Sequence, residues 1–405
     1  MLFRDVIGQE AVKQHLVEMV AHNRLSHALL FLGKEGAGAL PLAMAFAQYV
    51  SLLPRPDATA ADSLFGEPVA IRLPETAAAA DAWMEGQPSF AKADGLVHPD
   101  IHYSYPVIPR KSGDKPLSSD YSSEWRAFVK EQPYGNAYDW LQFIEAENKQ
   151  GNITAYECND IIRKLNLKSF ESGYKILLMW MPEYLGKEGN KLLKLIEEPP
   201  ADTLFLLVAE NEGAILNTIL SRCQLVKVPA LESADIEKAL LTRANSAPDA
   251  ARSLANAAHG NYREALHLQQ HADDDFGSLL KEWLNATVRY QPAAQLKAIE
   301  EIARLGREKQ KQLLRYFTHL IEQAVRAEVL EGPAQEALLA TYSSAEQDWA
   351  GRLNKVMNLA QKEAVAAELD TAAYHVERNA NAKILFHALT IRLFHIIRNG
   401  VVVSV

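Results

Sequence analysis

Residues 28–41 read Ala28-Leu29-Leu30-Phe31-Leu32-Gly33-Lys34-Glu35-Gly36-Ala37-Gly38-Ala39-Leu40-Pro41. An apolar run stopped by a glycine suits a strand buried on both faces of a parallel sheet. The glycine-bearing loop opens onto a helix rich in Ala, Leu and Met that runs to about Val50. Pro41 falls in its first turn, where a missing N–H does little harm. Strand, glycine loop and helix in this order are the context of the pattern G-x-x-x-x-G-K-[ST], in which backbone N–H groups and a helix N-terminus cradle phosphate. Gly33 and Gly38 keep the glycine spacing, with Gly36 between them. The side chains that carry the chemistry are missing. Ala39 stands at the lysine position and Leu40 at the magnesium-binding hydroxyl position. Lys34, at the strand end of the loop, is a poor substitute, and a plain glycine turn would explain the loop as well.

The other half of such a site is an apolar strand that ends in a magnesium-binding acid, usually followed by a catalytic glutamate. Here Ile176-Leu177-Leu178-Met179 runs into Trp180-Met181-Pro182-Glu183, so Trp180 and Met181 occupy both carboxylate places. An indole cannot hold magnesium. Glu183 comes two residues late and reads as a solvated loop residue. The architecture of an ATPase is present and its chemistry is missing, so no bound ATP or metal is expected.

Outward from these segments, strands are expected at 101–108, 174–180, 203–209 and 224–228, with a helix over 190–198 ending at Pro199-Pro200. Residues 51–97 lose periodicity, and 109–150 form a polar insertion with helical pieces around Trp125, Phe128, Trp140, Leu141 and Ile144. Beyond Pro229 the pattern turns helical. Leu313, Leu314, Phe317, Leu320, Ile321, Ala324 and Val325 keep a helical repeat, as do Ile384, Leu385, Ala388, Leu389 and Leu393. A terminal strand at Val401-Val402-Val403 is the one exception considered. The expected organisation is an α/β P-loop NTPase-like domain over 1–229 with an insertion at about 51–150. A small helical domain over 230–275 and a helical bundle over 276–405 follow.

Composition excludes several classes. The 405 residues carry 42 basic and 51 acidic side chains, a formal charge of −9, which argues against indiscriminate nucleic-acid coating while allowing a local basic patch. Hydrophobic content of 48% is ordinary for a globular chain. No apolar stretch approaches the ~18 residues of a membrane helix. Charge begins at Arg4, without an apolar signal core, and there are two cysteines, Cys158 and Cys223; a cytoplasmic, reducing location is expected.

Several segments beside the two remnants resemble the bacterial clamp-loader AAA+ family. Phe3-Arg4-Asp5-Val6-Ile7-Gly8-Gln9 is similar to its opening box, and Arg24-Leu25-Ser26-His27-Ala28 to its lead into the first strand. Asn190 to Pro200 is similar to its helix before the sensor strand. Leu220-Ser221-Arg222-Cys223-Gln224 matches its serine–arginine–cysteine motif, and Gly260-Asn261-Tyr262-Arg263-Glu264-Ala265-Leu266 its lid segment with a second sensor arginine. The resemblance implies a lid domain over 230–275, a collar domain over 276–405, and a place as the non-hydrolysing member of a ring. That ring opens the sliding clamp and closes it on primed DNA, with gamma/tau and delta subunits as partners, within the DNA polymerase III holoenzyme. Arg222, framed by Ser221 and Cys223, would then act in trans as an arginine finger on ATP held by a neighbouring gamma/tau subunit; on the motif alone it would read as a surface or ion-paired residue. Cys223 reads as a packing residue.

Family members commonly carry a cysteine-ligated zinc module before a His-Pro-Asp turn, present here as His98-Pro99-Asp100. The matching cysteine positions fall at Met84, Gln87 and Phe90, with an earlier one near Leu53, and none supplies a thiolate. His375, His387 and His395 lack ligand spacing. Two rival functions are a divergent NTPase using Lys34 and Glu183, and a DNA-repair interaction protein on the same scaffold.

Overall fold

In the computed structural model, which describes residues 1–53, 73–111, 113–146, 149–270, 276–330, 332, 335, 344–378 and 380–400, the apolar runs pair side by side. The strands are β1 (Ala28–Gly33), β2 (Ile101–Ser104), β3 (Lys175–Trp180), β4 (Thr203–Ala209) and β5 (Gln224–Val228). They form a parallel sheet in the order β2-β3-β4-β1-β5. Leu30 aligns with Leu207 on one side and Leu225 on the other. The interior strands β3 and β4 are buried along their whole length, which is why they read as nearly continuous apolar runs after Lys175 and Thr203. β5 is an edge strand and buries only Val226 and Val228, which is why it alternates.

Helices cover both faces. On one face lie α1 (Glu10–Ala21), α2 (Ala39–Ser51), α3 (Ala77–Glu85), α4 (Phe90–Asp94), α5 (Ser122–Glu131) and α6 (Ala137–Phe143), in one core with Phe31, Leu178, Trp180 and Leu206. On the other, α7 (Ala155–Leu165), a 3-10 run (Pro182–Leu192), α8 (Leu193–Glu197) and α9 (Asn217–Leu220) pack on Leu30, Leu177, Phe205 and Leu207. This is the α/β class expected, with all five strands parallel.

Local departures have local causes. The strand expected over 101–108 stops at Ser104; Pro106 has no N–H to give, and Val107 makes an isolated bridge to Asn152. Of the helix expected over 190–198, only α8 is α-helical. The preceding 3-10 run is kinked at Gly186 (φ 51°, ψ −136°). Within 51–97, where periodicity is absent, α3 forms under a Thr76 side chain that accepts from the Ala79 N–H; residues 54–72 lie outside the described residues.

Helices α10 (Ser233–Arg243), α11 (Pro248–Ala257) and α12 (Tyr262–Gln270) share a small core of Ile236, Leu240, Ala251, Ala255 and Tyr262 that takes in Ile7 and Tyr134. The chain divides into two compact units, Met1–Gln269 and Gln270–Val405.

The second unit is built from α13 (Phe276–Val288), α14 (Pro292–Arg304), α15 (Arg307–Val329), α16 (Ser344–Val356), α17 (Leu359–Glu377) and α18 (Ala382–Asn399). Trp283, Phe317 and Phe386 meet edge to face at its centre. The Trp283 Nε1–H donates to Thr390 Oγ1 at 2.9 Å. α15 buries the face its sequence predicts. α18 is rotated from its expected phase: Phe386, Leu389, Leu393, Ile396 and Ile397 point inward, while Ile384 and Ala388 are exposed. Val401–Val403 lies outside the described residues. Among the described residues no helix is long and apolar enough to cross a membrane.

Trp283→Ala should cost the second unit about 3–5 kcal/mol, as for other buried aromatics. Denaturant-dependent hydrogen exchange in α13 and α15 measures this, and a loss below about 1 kcal/mol would contradict a core centred on this indole.

Candidate functional site

The glycine loop has the backbone of a phosphate loop, and its space is taken. Gly36 (φ 70°) and Gly38 (φ 92°), the latter the N-cap of α2, adopt left-handed conformations that favour glycine. A Cβ on Gly38 would lie 2.9 Å from Tyr134 Cε1, and one on Gly36 only 1.8 Å from Asn261 Oδ1. Tyr134 comes from the insertion, and its hydroxyl accepts from the Ile7 N–H at 2.7 Å. Asn261 immediately precedes α12, whose Tyr262 N–H donates to the Gly36 carbonyl at 3.2 Å. Ala39 and Leu40 are buried in the sheet core, and Lys34 is exposed. What remains open between Gly33, Gly38, Leu40, Trp180 and Glu210 is about 20 Å³, room for about one water and not for a triphosphate.

Trp180, at the magnesium position, is the seat of the insertion. Its ring centroid lies 5.3 Å from Trp125 and 5.9 Å from Phe128. Trp125 in turn stacks on Tyr105 at 4.1 Å and meets Trp140 edge to face at 5.4 Å. The Trp140 Nε1–H donates to the Pro106 carbonyl at 2.7 Å. Met181 (φ 58°) is buried beside it. Glu183 is not the solvated residue its position suggests. Its Oε1 accepts from the Glu210 and Asn211 N–H groups at 2.7 and 2.9 Å, tying the 3-10 run to the loop after β4, and burial raises its pKa.

A buried ion pair closes the cleft from the other side. Arg263, in the lid-like segment, is 3% exposed and grips Asp139 through Nε–Oδ2 at 2.5 Å and Nη2–Oδ1 at 2.6 Å. Its Nη1 reaches Glu35 of the loop at 2.9 Å. Asp139 is fixed by a capping box at the start of α6, where it accepts from the Asn136 N–H and Asn136 accepts from the Asp139 N–H, both at 3.0 Å. Sequence reasoning singled out the Arg263 segment and missed Tyr134 and Asp139. The Asn136-x-x-Asp139 capping pattern was legible; its destination was not.

Ser221-Arg222-Cys223 follows α9 and leads into β5. Arg222 is partly exposed; its Nη1 donates to the Thr218 carbonyl at 2.6 Å and to Ser221 Oγ at 3.2 Å, and its Nη2 is paired with Glu197 of α8. Cys223 packs at the edge of the α7-side core. Burial pushes its thiol up to about 11, and Cys158 likewise.

The zinc-module positions fall in α3, the turn after it and the start of α4: Met84 is buried, Phe90 packs on the same core, and the Gln87 Nε2–H donates to the Trp83 carbonyl at 3.1 Å. The His-Pro-Asp turn is a structural clamp. The Asp100 carboxylate accepts from the N–H groups of Phe170, Glu171 and Ser172 at 2.5, 2.8 and 2.7 Å, and Nδ1 of buried His98 accepts from the Asp100 N–H.

Residues 130–232 match the family model described as DNA polymerase III, delta subunit. The chain is 26% identical over 268 residues to DNA polymerase III subunit delta' of Bacillus subtilis, covering 66% of this chain and 60% of that protein. It is 25% identical over 289 residues to subunit tau of the same organism, covering 69% of this chain and 39% of that protein. To subunit delta' of Yersinia pestis it is 33% identical over 92 residues, covering 22% and 26%. The chain thus spans 60% or less of the length of these relatives. The clamp-loader resemblance read from the sequence stands in these similarities.

Both thiols should be slow to alkylate in the folded chain at pH 8. A pKa of about 11 leaves a thiolate fraction roughly two orders of magnitude below that of an unperturbed thiol. Iodoacetamide labelling read by mass spectrometry should rise toward pH 11 or on unfolding. Fast native labelling of Cys223 at pH 8 would contradict its packing role.

Proposed function

We propose that the chain is a non-hydrolysing, delta-prime-type subunit of the DNA polymerase III clamp loader. In this reading it assembles in the cytoplasm with gamma/tau and delta subunits and helps load the sliding clamp on primed DNA. ATP is held and hydrolysed by the neighbour, not by this chain. One observation carries the reading: the phosphate-type cleft is lined closely by Tyr134 and Trp180, and its loop is tied through Glu35 to the buried Arg263 ion pair, while Arg222 is partly exposed.

The chemistry proposed for Arg222 is that of an arginine finger, a planar guanidinium meeting charge that develops on the transferred phosphoryl group. Its pairing with Glu197 is no obstacle. A partly exposed pair of this kind is worth about 0–1 kcal/mol, so exchanging the carboxylate for phosphoryl oxygens costs little. The rival NTPase reading loses its acid, because Glu183 is committed to two backbone N–H groups.

The isolated chain is expected to show no magnesium-dependent ATP hydrolysis. Ala39→Lys with Leu40→Thr should create none while Trp180 and Tyr134 fill the cleft. Equilibrium binding of labelled ATP and turnover measured after removal of contaminating ATPases test this, and turnover that co-purifies with the chain would refute it.

Reconstitution with gamma/tau and delta tests the finger. Arg222→Ala should fold and assemble, and should lower clamp- and DNA-stimulated hydrolysis. Loss of such an arginine costs roughly 10³–10⁵ at the site it serves, diluted by the ring's other sites. Arg222→Lys should rescue poorly, since a point charge lacks the two-pronged contact. An assembled Arg222→Ala ring with full activity would leave Arg222 a structural residue.

A further inference from the structure

The cleft of a glycine loop at a helix N-terminus favours an anion through its unpaired N–H groups. In this chain two carboxylates of the chain itself converge on one guanidinium beside the loop. Glu35 lies within the loop, and Asp139 arrives from the insertion. Both meet one buried guanidinium, Arg263, which sits at the start of α12. A bidentate grip by arginine is the geometry used equally for carboxylate and for phosphate. Around this triad the covering contacts repeat the same three-way connection. Tyr134 of the insertion lies on Gly38, and Tyr262 of α12 donates to the Gly36 carbonyl.

We propose that Asp139, with Glu35, is a built-in substitute for a phosphoryl oxyanion, holding α12 against the glycine loop with no nucleotide present. The insertion segment that carries Tyr134 and Asp139 is in this view the resident ligand of the cleft. Removing its charge should uncover a latent site for phosphoryl oxyanions at Arg263. The proposal deepens, and rests on, the reading of the cleft as closed to ATP.

Asp139→Asn in the full chain is the first test, because the amide oxygen can still accept from the Asn136 N–H and so preserve the cap of α6. Exchange of the Tyr262 amide, which spans the closure, should become at least roughly tenfold faster. Added inorganic pyrophosphate, at ionic strength matched with chloride, should slow it again and raise the melting temperature of the variant but not of the parent chain. Asp139→Asn with Arg263→Met should lose that rescue. Unchanged Tyr262 exchange in Asp139→Asn, or rescue that persists without Arg263, would overturn the proposal. Should Asp139→Asn fail to fold in chloride, folding restored by pyrophosphate in it and not in the double variant supports the proposal, and failure in both anions overturns it. ATP binding by the parent chain would instead sink the closed-cleft reading beneath it.

Discussion

Trp180 ends the interior strand β3 with a large apolar ring at the place where a metal-binding acid would otherwise stand. A buried aromatic ring brings 150–250 Å² of surface to a core, and that surface has to meet other apolar groups. Here it meets Trp125 and Phe128, and through them Trp140 and Tyr105. The insertion between β2 and β3 is thereby pinned to the strand ends instead of hanging from the sheet. The insertion's share in closing the cleft follows from that pinning. Tyr134 lies between α5 and α6, so docking these helices sets its ring on Gly38, and the start of α6 carries Asp139 to Arg263. An indole in this place offers no metal ligand and serves as an anchor for another part of the chain.

The sheet was legible because its signals are local. Strands buried on both faces are apolar along most of their length, and the runs at 176–180 and 204–209 meet that condition, with only Lys175 and Thr203 polar at the strand starts. The glycine loop was legible for the same reason, since its backbone turns are written in its own residues. The contents of the cleft were not. Tyr134 and Asp139 reach it across long separations in sequence, and neither residue type announces such a destination. Glu183 failed differently. Its distance from the magnesium position suggested solvent, yet a carboxylate near two unpaired backbone N–H groups is drawn to them. The phase of α18 was misread because Ile384 and Ala388 are as apolar as their buried neighbours, and apolar residues on several sides of a helix do not declare which side packs.

The two arginines of interest illustrate opposite uses of one side chain. Arg263 is buried, forked onto one carboxylate and touching a second, so its charge is committed. Arg222 sits beside a four-residue helix with one exposed carboxylate and a carbonyl for company, an arrangement that holds it without desolvating it. The clamp of Asp100 on the 170–172 loop belongs with the first kind. Three N–H groups on one carboxylate fix the entry to β3, and with it the strand that bears Trp180.

The pairing of Asp139 with Arg263 joins residues 124 positions apart, and this has a consequence for how the chain is made. At about 5–20 residues per second, roughly 6–25 s of synthesis separate the two side chains as they leave the ribosome. Through that interval the aspartate has no guanidinium to meet, and the glycine loop has neither Asn261 nor Tyr262 above it. The first unit is thus completed from its far end. Its sheet can assemble once β5 has emerged, whereas the cleft stays open to water until almost the last residues of the unit have been added.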